Sequence, residues 1–210
     1  MALAGLLFAI LLARSAPAAE PIRILAFGDS LTAGFGLVDG DGFVAQLQAA
    51  LVASGRAVKV INAGVSGDTT AGGLARLDWA LADNPQLVIV ELGANDGLRG
   101  LDPKSTAANL DAILTRLVEQ KRAILLAGMR APPNLGSEYA AAFDAIYPAL
   151  AQRHNVALYP FFLDGVVADP QLNQEDGIHP NEAGVKVIVG HMLPYVLKAI
   201  DGLSRTAGQP

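Results

Sequence analysis

Apolar residues along this chain alternate between two periods. Five short runs, at 22–27, 58–65, 87–92, 124–129 and 156–161, are almost continuously apolar, the pattern of strands buried on both faces. Between them apolar residues recur at helical spacing: Phe43/Leu47/Leu51, Leu74/Leu77/Leu81, Leu110/Ile113/Leu114/Leu117 and Phe143/Ile146/Leu150. A last stripe, Val185/Ile188/Met192/Val196/Ile200, closes the pattern. Strands alternating with helices predict βαβ units, and right-handed crossovers then give an α/β fold: a three-layer α/β/α sandwich around a five-stranded parallel sheet. The strand order expected is 2-1-3-4-5.

The ends of the chain read differently. Residues 1–19 hold an uninterrupted run of apolar residues and glycine from Ala2 to Leu12, then Ala16-Pro17-Ala18, an A-x-A cleavage pattern. They are read as a signal peptide cut after Ala18 or Ala19, although Arg14 follows the apolar run rather than preceding it. The run is too short to span a bilayer as a mature helix. Residues 20–203 then form a single domain, and 204–210, small and polar, a flexible tail. The product is expected to be exported, to the periplasm in a Gram-negative cell and otherwise secreted, as a monomer with no stable membrane anchor.

Composition removes several functions. The chain has 210 residues and a net charge of −5, with no basic clusters, so nothing supplies the phosphate-neutralising surface that nucleic-acid binding requires. There are no cysteines, which excludes thiol catalysis, thiolate metal sites and disulfides.

In a doubly wound sheet, ligands bind at the carboxyl ends of the strands, so the segments that follow the strands carry the candidate chemistry. Strand one leads into Gly28-Asp29-Ser30, strand two into Gly64-Val65-Ser66-Gly67-Asp68, strand three into Gly93-Ala94-Asn95-Asp96. The segment after strand five holds Asp176-Gly177-Ile178-His179-Pro180. Taken singly, each is an ordinary turn, and Ser30 alone reads equally as a helix N-cap. Taken together they meet the needs of a serine hydrolase: a nucleophile, a base, a group that orients the base, and donors for an oxyanion. Ser30 is the candidate nucleophile. Asp176 and His179 stand three apart around a glycine, so one loop turn can bring the carboxylate to the imidazole. The Gly67 N–H, the Asn95 amide and the Ser30 N–H are the candidate oxyanion donors. Pro180 suits the first turn of the last helix. His154, near a helix C-terminus, and His191, within the last helix, are read as structural. Asp29 and Asp68 are read as fixing loop geometry through hydrogen bonds.

In block order and spacing over nearly all of the mature chain, Gly28-Asp29-Ser30-Leu31, Gly67, Gly93-x-Asn95-Asp96 and Asp176-x-x-His179 resemble the SGNH, or GDSL, hydrolase family. The resemblance implies a flavodoxin-like fold, Ser30 as nucleophile, Gly67 and Asn95 as oxyanion donors beside the Ser30 N–H, His179 as base and Asp176 as its orienter. Ser66-Gly67-Asp68-Thr69, the 73–77 segment, Glu91-Leu92-Gly93 through Gly100, and Asp176 through Asn181 are similar to the exported arylesterase, acyl-CoA thioesterase I and lysophospholipase branch. That branch hydrolyses aryl esters, acyl thioesters and lysophospholipids, with substrate loops corresponding to 97–103 and 129–139. The resemblance implies small acyl ester or thioester substrates and neither metal nor organic cofactor.

Two rival readings use the same residues. A metal-dependent phosphoesterase built on Asp29, Asp96, Asp176 and His179 is poorly supplied by a chain with three histidines. A periplasmic binding module that merely holds an acyl ligand does not need the full set of nucleophile, base and donors. Nucleotide binding lacks its motif, since the 28–36 segment has neither a Gly-x-Gly-x-x-Gly order nor a Gly-Lys-Ser/Thr ending. Ser30 lies outside a Gly-x-Ser-x-Gly elbow, so the α/β-hydrolase fold is not indicated.

Overall fold

The computed structural model describes residues 20–207. The signal-peptide reading of residues 1–19 lies outside the described residues.

All five apolar runs form strands: β1 (Ile22–Gly28), β2 (Val58–Gly64), β3 (Leu87–Glu91), β4 (Ala123–Ala127) and β5 (Ala157–Tyr159). They pair in parallel in the order β2-β1-β3-β4-β5, as expected. Every residue of β3, and β1 from Ile24 onward, is buried, which explains their lack of polar alternation. β5 is cut to three residues because Pro160, lacking an N–H, follows at once.

Helices cover both faces. A short α1 (Ser30–Ala33) follows β1, then come α2 (Phe43–Ala53), α3 (Thr70–Ala80), α4 (Ala94–Leu98), α5 (Pro103–Glu119), α6 (Ser137–Asp144), α7 (Ile146–His154) and α8 (Glu182–Ala207). α2 and α8 pack together on one face, and α3, α5 and α7 line the other. The Phe43, Leu47 and Leu51 stripe and the Leu110, Ile113, Leu114 and Leu117 stripe are buried throughout. Truncating any of these to alanine is expected to destabilise the domain by about 2–5 kcal/mol. The Phe143/Ile146/Leu150 stripe spans two helices, because the chain bends at Ala145 between α6 and α7 while keeping all three side chains in the core. Within residues 182–203, α8 has the length and apolar composition of a membrane span. Its stripe Val185, Ile188, Met192, Val196 and Ile200 is buried against α2 and the sheet, so it packs as a core helix.

β1 lies between β2 and β3, where the strand order reverses. The carboxyl ends of these strands meet in register, with Gly28 paired to both Gly64 and Glu91. α1 crosses directly above this seam. A Cβ on Gly28 would collide with the side chains of Thr32 and Glu91, and one on Gly64 with the Ala33 backbone. Glycine at both positions therefore lets the serine-bearing helix sit against the strand ends.

Candidate active site

Asp29, not Ser30, is the N-cap of α1: its Oδ1 accepts the Leu31 N–H at 3.0 Å. The cap alternative for Ser30 is thereby excluded, and its side chain is free for other work. Its hydroxyl Oγ lies 2.9 Å from His179 Nε2, and His179 Nδ1 lies 2.6 Å from Asp176 Oδ2. Serine, imidazole and carboxylate thus form a continuous line.

The His179 loop is ordered by local bonds. Asp176 Oδ1 accepts the backbone N–H groups of Ile178 at 2.9 Å and His179 at 3.0 Å. The His179 N–H, its ring and the Ile178 N–H together hold the Asp176 carboxyl down at about 2. It is therefore an anion aimed at the imidazole at any physiological pH. The Phe35 ring packs against the imidazole, tilted by 39°, with centroids 4.6 Å apart. Gln174 joins the two loops, donating through Nε2 to Phe35 O at 2.8 Å and Pro180 O at 3.0 Å. Pro180 lies before α8 rather than in its first turn, because Asn181 takes the cap, its side chain accepting the Gly184 N–H at 3.0 Å.

On the other side, residues 65–69 bring Gly67 forward. Its φ of +85° lies in the left-handed region, where a side chain would be strained. Neither the Gly67 N–H nor the Ser30 N–H donates to a protein acceptor among the described residues. Behind them stands Arg76 of α3. Its Nε pairs with Asp68 Oδ2 at 2.6 Å, and its Nη1 and Nη2 donate to Ala63 O and Gly28 O, each at 2.9 Å. Its guanidinium also rests 4.4 Å from the Phe27 ring centroid. One side chain thus ties the ends of β1 and β2 to the Gly67 loop. Asp29 and Asp68 hold geometry, as their sequence context suggests.

Asn95 reaches the same place but is already engaged. Its Nδ2 donates to Asp68 O at 2.9 Å and to Asp29 Oδ2 at 3.1 Å. An amide nitrogen carries two hydrogens, so neither is unshared in this state. Asp96 is buried and turned away from the crevice, accepting from the Thr70 N–H at 2.8 Å and Thr106 Oγ1 at 3.2 Å. It anchors α4 to α3 and α5.

Beneath Ser30 lies Glu91, entirely buried, which sequence reasoning did not single out. Its Oε2 accepts from Thr32 Oγ1 at 2.6 Å, while Oε1 has no hydrogen-bond partner and no cation pairs with it among the described residues. Burial, reinforced by the Asp29 charge, raises its pKa well above the ordinary glutamate value, which favours the protonated form. Burial likewise pushes Asp29 up, to about 6, against the bonds from Leu31 and Asn95 that lower it. His154 and His191 lie outside the site, beside Asp111 at 2.7 Å and Asp164 at 3.6 Å.

Ser30, Asn95 and His179 open onto a crevice of about 470 Å³ walled by Leu98, Met129, Phe161, Leu163, Val167 and Ile178. Leu98 and Met129 come from the two segments read as substrate loops, and Tyr139 Oη bridges those segments by donating to Leu101 O at 2.8 Å. Arg76 and Glu91 fall in segments that carry the family resemblance but give no sign of their role, and Gln174 and Phe35 carry no local motif. Their partners lie far off in the chain, and only the parallel sheet brings them together.

A Ser–His–Asp line at the switch point of a three-layer sandwich, opening on an apolar crevice, defines the SGNH class of ester-cleaving hydrolases. The sequence comparison agrees: residues 26–187 match the GDSL-like Lipase/Acylhydrolase family. The chain belongs to this family and is an ester-hydrolysing enzyme. It is 42% identical to the Esterase TesA of Pseudomonas aeruginosa, over 91% of this chain and 94% of that protein. It is 44% identical to the thioesterase 1/protease 1/lysophospholipase L1 of Escherichia coli K12, over 83% of this chain and 82% of that one. Among solved structures, AlinE4, an SGNH-hydrolase family esterase, superposes with a TM-score of 0.74 at 50% identity, covering 87% of this chain and 98% of its own.

Proposed function

We propose that the protein is an exported serine esterase that cleaves carboxylic esters and thioesters through an acyl-enzyme on Ser30. The 2.9 Å approach of Ser30 Oγ to His179 Nε2 carries this reading. Ser30 attacks the acyl carbonyl as His179 takes its proton, and Asp176 holds the ring in the tautomer whose Nε2 is free to accept. The tetrahedral oxyanion is met by the Ser30 and Gly67 N–H groups, which have no protein acceptor among the described residues. Asn95 supplies the third hydrogen bond by giving up its longer bond, the one to Asp29. His179 then protonates the leaving group, and a water attacks the acyl-enzyme with His179 again as base.

The apolar crevice fits an acyl chain, and the names of the relatives point to aryl esters, acyl thioesters and lysophospholipids as candidate substrates. Export rests on residues 1–19, with release to the periplasm of a Gram-negative host as a monomer without a membrane anchor. Rapid mixing with p-nitrophenyl butyrate tests the chemistry. A stoichiometric product burst that disappears in Ser30→Ala, with folding retained by circular dichroism, is the expected result. Undiminished turnover in that variant would overturn the reading. Chelator should leave activity intact; loss in EDTA restored by a divalent ion would instead favour a metal-dependent phosphoesterase.

A further inference from the structure

Between residues 20 and 203, every arginine but one has an acceptor for its guanidinium. Arg23, Arg56, Arg76, Arg116 and Arg153 pair with carboxylates, and Arg99 and Arg122 donate to backbone carbonyls. The exception is Arg130, which makes neither an ion pair nor a hydrogen bond among the described residues. It is also the one arginine that lines the crevice shared by Ser30, Asn95 and His179. Asp144 does reach this loop, but its Oδ1 accepts the Ala131 backbone N–H at 2.8 Å.

Arg130 is held in place nonetheless. Its guanidinium lies over the ring of Phe161, 4.8 Å from the centroid, and Pro132 and Pro133 stiffen the chain just beyond it. With one face on the ring, the N–H groups along the guanidinium edge stay free, in the fork geometry that meets an oxyanion through two parallel bonds. In a chain of net charge −5, an unpaired cation at the rim of an apolar crevice is not part of a generally basic surface. An acyl chain has no use for it, whereas a leaving group that carries phosphate does.

We propose that Arg130 is a specificity-determining residue that binds a phosphate group on the leaving group of the ester or thioester. The inference rests on the reading of the crevice as an acyl-ester site. It predicts that the enzyme sorts substrates of equal acyl length by the charge of the group they release, favouring phosphate-bearing alcohols and thiols. Because Arg130 is exposed, the preference is screened by salt.

The test compares four substrates of one acyl length in the full protein and in Arg130→Gln: decanoyl-CoA, 1-decanoyl-lysophosphatidylcholine, the decanoyl thioester of N-acetylcysteamine, and p-nitrophenyl decanoate. The ratio of kcat/KM on phosphate-bearing to phosphate-free substrates should fall about tenfold in Arg130→Gln, through KM, with partial recovery in Arg130→Lys. A fall for decanoyl-CoA alone assigns the site to a nucleotide phosphate, and a fall for the lysolipid alone to a lipid headgroup; either supports the proposal. Equal changes on all four substrates, or none, overturn it. Calorimetry of decanoyl-CoA on Ser30→Ala and on Ser30→Ala/Arg130→Gln supplies a readout that needs no turnover. A roughly tenfold weaker Kd in the double variant supports the phosphate site even if the esterase reading fails. Equal Kd values overturn it even if that reading stands.

Discussion

Ser30 and His179 face each other across 2.9 Å, yet their supports are unlike. Ser30 follows a strand buried from Ile24 onward, its turn capped by Asp29, backed by the buried Glu91 and tied through Arg76 to the Gly67 loop. His179 sits on a loop far along the chain from β5, with Asp176 exposed to water and Gln174 and the short Asn173–Pro180 bridge joining it to the rest. Ser30 and Asn95, half-buried at the strand ends, and the exposed Gly67, tied back through Asp68 and Arg76, thus have their geometry fixed by the folding of the sheet. His179 is instead carried by a surface loop joined to the rest by a few bonds. Positioning on the serine side is inseparable from stability, and on the histidine side it is not.

Removing Asn95 should break the serine side most severely. Asn95→Ala is expected to lower kcat about a hundred- to a thousandfold, measured by steady-state hydrolysis of p-nitrophenyl butyrate with KM little changed. Replacing Arg76 by methionine leaves Asp68 and two strand-end carbonyls without their donor. Urea titration should show a loss of about 2–3 kcal/mol, with a fall in kcat, because this ion pair is mostly buried. The contrasting variant is Gln174→Ala on the histidine side: kcat/KM should fall by about tenfold or less, with stability within about 1 kcal/mol of the parent. A loss of stability as large as that of Arg76→Met would erase the distinction between the two sides.

The smallest effect concerns Glu91 and pH. Its folded-state pKa lies above its unfolded value, so its contribution to stability is fully present below about 4.5 and is lost as pH rises towards the folded pKa. Glu91→Gln keeps a neutral side chain of the same shape. Its stability relative to the parent, read by denaturant titration at several pH values, should therefore rise with pH above that point. For Asp176, whose folded pKa is depressed to about 2, the sign is opposite: its contribution is present above about 3.8 and lost as pH falls below it.

How much of this was legible in the chain follows from the same division. The strands were visible because burial on both faces leaves continuous apolar runs, and βαβ handedness gave the three-layer class; the strand order was only a default choice that handedness alone does not fix. Ser30, Gly67, Asn95, Asp176 and His179 were visible because each follows a strand or closes a turn, where few residue types fit. What stayed hidden was long-range. Arg76 reaches back to Gly28, Glu91 ends an otherwise apolar strand, and Gln174 meets Phe35 only after the whole sheet has formed. The bend at Ala145 was hidden for another reason, since the apolar stripe continues unbroken across α6 and α7. The amide of Asn95 was readable as a donor, but its two existing bonds were not, because they join Asp29 and Asp68 from the loops after two different strands.

The central claim is that Ser30 carries the acyl group. Brief incubation with p-nitrophenyl butyrate, acid quenching, and mass spectrometry of the intact and digested protein tests it directly. The expected result is a single butyryl adduct on the peptide containing Ser30, absent from Ser30→Ala and accumulating more slowly in His179→Ala. An adduct on another residue, or burst kinetics that persist in Ser30→Ala, would contradict it.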